Sequence, residues 1–453
     1  MYRFLLFLYL FGHFSNYETN RNILVTRIVG CFGYFLVNLQ RQLEKETKKR
    51  NNKMNKQTIK ICSLVLVLAA SSSVTFAQNV WKGTWATAVE WTGKGDMPKE
   101  SLSNCSCRQI IHVSFGGSEM RLKLSNEFSK EPVEIKSVYV ADTDVTANWG
   151  IKAKTAKYLK FNGKKNVTIA PGKAIYSDDL KYDLKAGQRL TITIDYGKQM
   201  PVNVTSHRGS RTTSYIVNSA VRTAKPMDKS FADGEKVDHW YNLSAIDVKT
   251  DKTTPVVAVL GNSITDGRGS TTNMQNRWTD VLSDALNAEK PYGVLNLGIG
   301  GNCVVEGGLS EPAMKRFDRD ILGQTGVDKL IIFEGTNDIG CSGGNYEHLA
   351  DTLKACYKVL IAKAKAKGIK VYGATITPTK GNGWYSYWHE AVRQEVNEWI
   401  RKSGNFDEII DFDELVRDPQ DPQRLKAEYS DDWLHLNPKG YEAMGKFAAE
   451  KLK

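Results

Sequence analysis

Two rhythms of apolar residues divide the chain. From Val80 to about Lys249 the period is two: Ile111, Val113 and Phe115 alternate with polar neighbours, as do Leu122 and Leu124, and then Leu190, Ile192, Ile194 and Tyr196. Such alternation puts successive side chains on opposite faces of a strand. Turn signals recur between the runs at Phe115-Gly116-Gly117, Asn162-Gly163, Pro171-Gly172 and Ala186-Gly187. Many short strands without a long helical stripe predict an antiparallel, sandwich-like β domain over residues 78–250. Thr250 to Thr254 reads as a linker.

After Pro255 the rhythm becomes strand, loop, helix. Val256 to Leu260 is a continuous apolar run, the mark of a strand buried on both faces. Trp278, Val281, Leu282, Ala285 and Leu286 form a helical stripe. Further strands are predicted at Val294–Leu297, Lys329–Phe333, Lys370–Ile376 and Glu408–Phe412. Helices are predicted at Tyr346–Lys367, at Glu390–Arg401 and after Asn437-Pro438. Strands and helices alternating at this spacing predict an α/β domain over residues 251–453, a parallel sheet wrapped on both faces.

Composition changes the picture mainly at the amino terminus. The 453 residues carry a formal charge of +12, but residues 1–77 hold 11 of the 62 basic residues and only three acids, which leaves +4 for the rest. The basic excess is a leader property, and a nucleic-acid partner loses its main support. Met54 to Ala77 has the grammar of an export signal: Lys56 and Lys60, an apolar run from Ile61 to Ala70, then Thr75-Phe76-Ala77. That run is too short for a stable membrane span. Residues 1–53 read as an upstream extension without a structural role, with a membrane-anchoring leader as the rival, and the expected location is secreted or periplasmic. Beyond the leader lie Cys105, Cys107, Cys303, Cys341 and Cys356. Cys303 and Cys341 leave two readings open, a disulfide between loops or small buried thiols. No C-x-x-C, H-E-x-x-H or clustered histidine pair supports a metal site. His112, His207, His239, His348 and His389 read as surface or packing residues.

The candidate chemistry sits at strand ends, where open α/β sheets bind ligands. Ser263 follows the first strand between Gly261 and Gly267. Gly301 lies in NLGIGGN, Asn337 in FEGTNDIG, and Asp432 and His435 in DDWLHLNP. A serine hydroxyl needs a base to take its proton, which His435 can do, while Asp432 can orient the imidazole and stabilise its charged form. The backbone N–H groups of Ser263 and Gly301, with the Asn337 amide, can serve a tetrahedral oxyanion. Singly each has a plainer reading: a turn serine, a tight Gly-Gly turn, a helix cap. Their joint order on one α/β pattern favours catalysis. Asp266 and Asp338 read as turn or cap residues.

Together these blocks resemble the SGNH, or GDSL-type, hydrolases: GNSITDG with Ser263, NLGIGGN with Gly301, GTND with Asn337, DDWLH with Asp432 and His435. The flanking text is similar to a secreted bacterial branch in which a β-rich region precedes the hydrolase. The resemblance implies a flavodoxin-like three-layer α/β/α domain and ester hydrolysis through an acyl-enzyme, with no cofactor. One position departs from the pattern: Asn262 stands where the family usually has Asp.

Export and a β-sandwich partner favour a short acyl ester, O-acetyl above all, on a carbohydrate. Trp384, Tyr385, Tyr387 and Trp388 follow the fourth strand and could stack on sugars or pack the next helix; Asn302 is a further candidate substrate contact. Two alternatives stand beside this one, a lipid esterase or lysophospholipase and a carbohydrate-binding protein with an inactive hydrolase domain. The β-rich region is expected to brace the hydrolase rather than bind glycan. The sequence leaves the oligomeric state open.

Overall fold

The computed structural model describes residues 79–99, 101–218, 229–343 and 346–453; the expected extension (1–53) and export signal (54–77) lie outside them. The period-two half forms antiparallel sheets. One carries strands Asn79–Ala86, Leu243–Asp251, Gly117–Ser125 and Ala174–Tyr176 in that order, with Leu180–Leu184 also paired to Gly117–Ser125. A second is built around Ser106–His112, Arg189–Tyr196 and Val133–Asp142. Met120, Leu122, Leu124 and Ile246 of the first share one buried cluster with Ile111, Val138, Val140, Ile192 and Ile194 of the second. The two inner faces therefore make a sandwich core. A short third sheet joins Glu90–Trp91, Thr205–Arg208 and His239–Tyr241.

The expected linker is part of a strand and a turn. Thr250 pairs with Val80 and Asp251 with Asn79, and the Asp251 carboxylate accepts from Thr253 N–H at 2.8 Å. This side-chain turn passes the chain directly into the next sheet.

There, five parallel strands are β1 (Val256–Gly261), β2 (Gly293–Gly298), β3 (Lys329–Phe333), β4 (Lys370–Ala374) and β5 (Glu408–Ile410), in the order β2-β1-β3-β4-β5. The helices are α1 (Ser263–Asp266), α2 (Trp278–Asn287), α3 (Ala313–Phe317), α4 (Thr336–Gly340), α5 (Tyr346–Lys365), α6 (Tyr387–Lys402), α7 (Phe412–Val416) and α8 (Pro438–Leu452). Every residue of β1 is buried. Val257 and Val259 pack with Trp278 and Met444 of α2 and α8, while Val256, Ala258 and Leu260 join the cluster holding Leu353 and Val396 of α5 and α6. That division explains the unbroken apolar run and gives the expected three-layer α/β/α architecture. β5 stops at Ile410 because Asp411 caps α7, accepting from Glu414 N–H. α6 begins at Tyr387, three positions before expectation, because Ser386 caps it through His389 N–H.

The two halves pack through backbone as well as side chains. Gly83 N–H donates to Thr325 O at 2.9 Å, and a Cβ on Gly293 would lie 2.5 Å from Gly83 O. Strand Asn79–Ala86 and β2 approach this closely because Gly293 lacks a side chain, while a Cβ on Gly83 would press on Leu295 at 3.1 Å. Val294 N–H donates to Ser114 Oγ at 3.1 Å, and Ala86, Ala88 and Ala245 share a buried cluster with Val256 and Leu295. The chain from Ala77 onward forms one compact unit.

Candidate active site

The turn after β1 is built for close quarters. Asn262 caps α1, its Oδ1 accepting from Ile264 N–H at 3.0 Å, and Gly267 ends that single turn at φ 100°. A side chain on Gly261 would collide with Thr265. Ser263 is thereby fixed at the carboxyl end of β1.

His435 reaches it from the segment before α8. Ser263 Oγ and His435 Nε2 are 2.8 Å apart, and His435 Nδ1 lies 2.7 Å from Asp432 Oδ2. The other carboxylate oxygen accepts from the backbone N–H groups of His435 (2.7 Å) and Leu434 (3.0 Å). Asp432 therefore shapes the turn and orients the ring together. Partial burial works against the Asp432 charge, but the His435 and backbone hydrogen bonds hold its carboxyl below the ordinary range. Burial pushes the His435 imidazole down; Asp432 opposes this, and Arg268 and Arg211 add to it. A neutral imidazole facing a hydroxyl is ready to accept its proton.

The expected oxyanion segments are tied to this turn. Ile299 N–H donates to Gly261 O at 3.0 Å, and Gly301 has φ 70°, a conformation that favours glycine. Asn337 Nδ2 donates to Asn302 O at 2.7 Å, which leaves the second N–H of that amide free for another acceptor. Beneath them lies Arg316, fully buried and unassigned by the sequence reading. Its guanidinium donates to Gly261 O (3.1 Å), Leu297 O (2.8 Å) and Asn302 Oδ1 (2.9 Å), and pairs with Asp320 and Glu334. It joins the ends of β1 and β2 to the Gly301 loop.

Asn302 has a different place from the expected substrate contact. Its side chain is buried, with Nδ2 donating to Glu311 O at 2.8 Å and Oδ1 taken by Arg316. Trp384 packs on Gly340, where a Cβ would strike its ring, and Tyr385 donates to Gln423 Oε1 at 2.5 Å. Tyr387 is 81% exposed, and Trp388 is 66% exposed while stacking on Tyr346. The aromatic group thus divides into two packed members and two open ones. Asn382 Nδ2 donates to Asp432 O at 2.8 Å, linking their loop to the acid.

Asp266 and Asp338 are anchors. Asp338 accepts from Val304 and Val305 N–H, fixing the segment after Gly301; burial raises its carboxyl to about 6. Asp266, fully buried at the end of α1, accepts from Arg211 Nη2 (2.7 Å) and faces His207 Nε2 (2.9 Å). Both partners come from the β-rich half. Burial would raise the Asp266 carboxyl, yet Arg211, His207 and Arg277 hold it below the usual range. His207, expected at a surface or in packing, is buried and stacks on Trp240, and it also links the halves, its Nδ1 lying 2.8 Å from Ala88 O. Leu309, 68% exposed, lies over Gly301, and its carbonyl accepts from Arg208 at 3.1 Å. A histidine and two arginines within His207–Arg211 of a β region were the available signal. Cys303 and Cys341 are both free thiols, the first buried and pushed up to about 12 by burial.

Residues 259–443 match the model of the GDSL-like lipase/acylhydrolase family. No curated protein matches the chain. Among solved structures, a GDSL-like lipase from Bacteroides thetaiotaomicron is 21% identical, covering 45% of this chain and 92% of its own, with a TM-score of 0.34. A carbohydrate acetylesterase family member from Sinorhizobium meliloti is 14% identical, with coverage of 44% and 97% and a TM-score of 0.34.

Proposed function

Residues 259–443 belong to the GDSL-like lipase/acylhydrolase family and make this chain a carboxylic ester hydrolase, and from that premise we propose that it is an exported esterase removing short acyl groups, O-acetyl above all, from a carbohydrate. The observation that carries the chemistry is the continuous path from Ser263 Oγ to His435 Nε2 (2.8 Å) and from His435 Nδ1 to Asp432 (2.7 Å).

In this reading His435 takes the Ser263 proton as Oγ attacks the ester carbonyl. Asp432 stabilises the imidazolium that forms. The oxyanion accepts from Ser263 N–H, Gly301 N–H and Asn337 Nδ2. His435 returns the proton to the departing alcohol, leaving an acyl group on Ser263. Water, deprotonated by His435, then releases the carboxylic acid and restores the serine. No step calls for a cofactor.

The carbohydrate assignment draws on Tyr387 and Trp388, two exposed aromatic faces suited to sugar stacking on a segment tied to Asp432. The leader at 54–77 supports export. The β-rich half acts as a brace, since its His207 and Arg211 hold the Asp266 end of α1. Wild type hydrolysing p-nitrophenyl acetate, with Ser263→Ala inactive, is the expected result, and p-nitrophenyl octanoate should be the poorer substrate. Equal turnover by Ser263→Ala would reject the mechanism. A preference for octanoate would point to lipid instead.

A further inference from the structure

Arg268 follows α1 on a backbone fixed at both ends. Its N–H donates to Ser263 O at 2.9 Å, and its carbonyl accepts from the Tyr441 hydroxyl at 2.5 Å. The next residue, Gly269, lies so close to the His435–Leu436 backbone that a Cβ would strike Leu436 O and sit 3.7 Å from His435 Cβ. The Arg268 side chain is exposed and has no ion-pair partner among the described residues. On the other flank of α1, Arg211 pairs with Asp266, while its buried Nε has no hydrogen-bond partner.

Three acids of this region are already engaged. Asp266 is held by Arg211 and His207, Asp432 by His435, and Glu90 by Arg208 and Ser310. The charge of Arg268 is left unanswered beside the base. His435 delivers a proton to the departing oxygen, so the alcohol part of the ester must lie on the His435 side. The Arg268 backbone is joined to that side through Gly269, and the arginine charge acts on His435.

We propose that Arg268, supported by Arg211, receives a carboxylate on the alcohol portion of the ester, so that the substrate is a short-chain acyl ester of an acidic glycan. This rests on the serine esterase reading above and adds the charge of the molecule deacylated. A docked anion would also offset the field of the arginines on His435, favouring the imidazolium formed as Ser263 attacks.

The probes are 4-acetoxybenzoate, whose leaving group carries a carboxylate, and its neutral methyl ester. With the full chain, Arg268→Gln should lower the ratio of kcat/KM for the anionic over the neutral ester by at least about tenfold. Arg268→Lys should restore much of that ratio. Raising salt from about 0.05 to about 0.5 M should depress the wild-type ratio more than that of Arg268→Gln. An unchanged ratio in Arg268→Gln, with both esters cleaved by wild type and neither by Ser263→Ala, would overturn the charge proposal and leave the esterase standing. Wild type cleaving neither ester would overturn both.

Discussion

Replacing Asn262 by Asp tests why this chain departs from the family at that position. Asn262 is buried beside Glu334, whose carboxyl is raised to about 8, chiefly by burial, with Arg316 and the Asn262 amide working in the opposite direction. Neither Asn262 Nδ2 nor Glu334 Oε2 makes a hydrogen bond of ordinary geometry. Asn262→Asp keeps the acceptor that caps Ile264 N–H but exchanges the amide donor for a second carboxylate. Two carboxylates about 4 Å apart would repel by about 4 kcal/mol at an effective dielectric constant of 20. The pair should therefore retain one proton through neutral pH. The sign follows from the raised folded value of Glu334. Its contribution to stability is complete below the unfolded value of 4.5 and is lost as pH rises toward about 8. The slope reaches at most about 1.4 kcal/mol per pH unit. In Asn262→Asp the window extends to higher pH, so the deficit against wild type should be small at pH about 6 and grow to about 2–3 kcal/mol by pH about 9. Urea unfolding followed by tryptophan fluorescence at several pH values measures it, and Glu334→Gln should remove most of the added deficit. A deficit independent of pH, or strict additivity of the two substitutions, would refute the reasoning.

Hydrolysis of a neutral acetate ester should persist below pH 6.5, because the His435 imidazole is held under its ordinary value. Removing the charge of Arg268 should move the acid limb of kcat/KM to higher pH, whereas Asp432→Asn should move it lower while cutting the rate; pH–rate profiles read both shifts. Arg316→Met removes the buried donor to Gly261 O, Leu297 O and Asn302 while Arg319 still pairs Asp320, and should cost about 3 kcal/mol in chemical denaturation. Asp266→Asn breaks the Arg211 pair and should lower stability by about 2–4 kcal/mol, seen as a fall in Tm with the halves still unfolding together. A thiol reagent applied to the native protein should modify exposed Cys341 well before buried Cys303, as peptide mass mapping would resolve.

Ser263 was legible because the apolar rhythm locates the end of β1, whereas Asp432 and His435, expected at a strand end, lie well beyond the last strand, which stops at Ile410, and were marked only by the DDWLH block. β1 itself was explicit, since burial by helices on both faces demands an uninterrupted run. Arg316 was hidden for the opposite reason. Its partners Gly261, Leu297 and Glu334 are scattered along the chain, and no local period marks a buried guanidinium. His207 and Asp266 failed as independent readings because each is explained only by the other, across two halves with different rhythms. Asn302 was expected to contact substrate, but nothing in the local sequence reveals that its amide is taken by Arg316 and Glu311. The linker at 250–254 was misjudged because its polar composition suits a solvent-facing strand end as well as a loop.

Strand Asn79–Ala86 also constrains how the molecule can be made. Its partner runs from Leu243 to Asp251, and beyond that it leans on Gly293. During synthesis this early strand leaves the ribosome long before anything exists for it to pair with, exposing an unsatisfied ribbon through the interval. The pairing of that ribbon is complete only once Asp251 has emerged, and the base at His435 arrives later still.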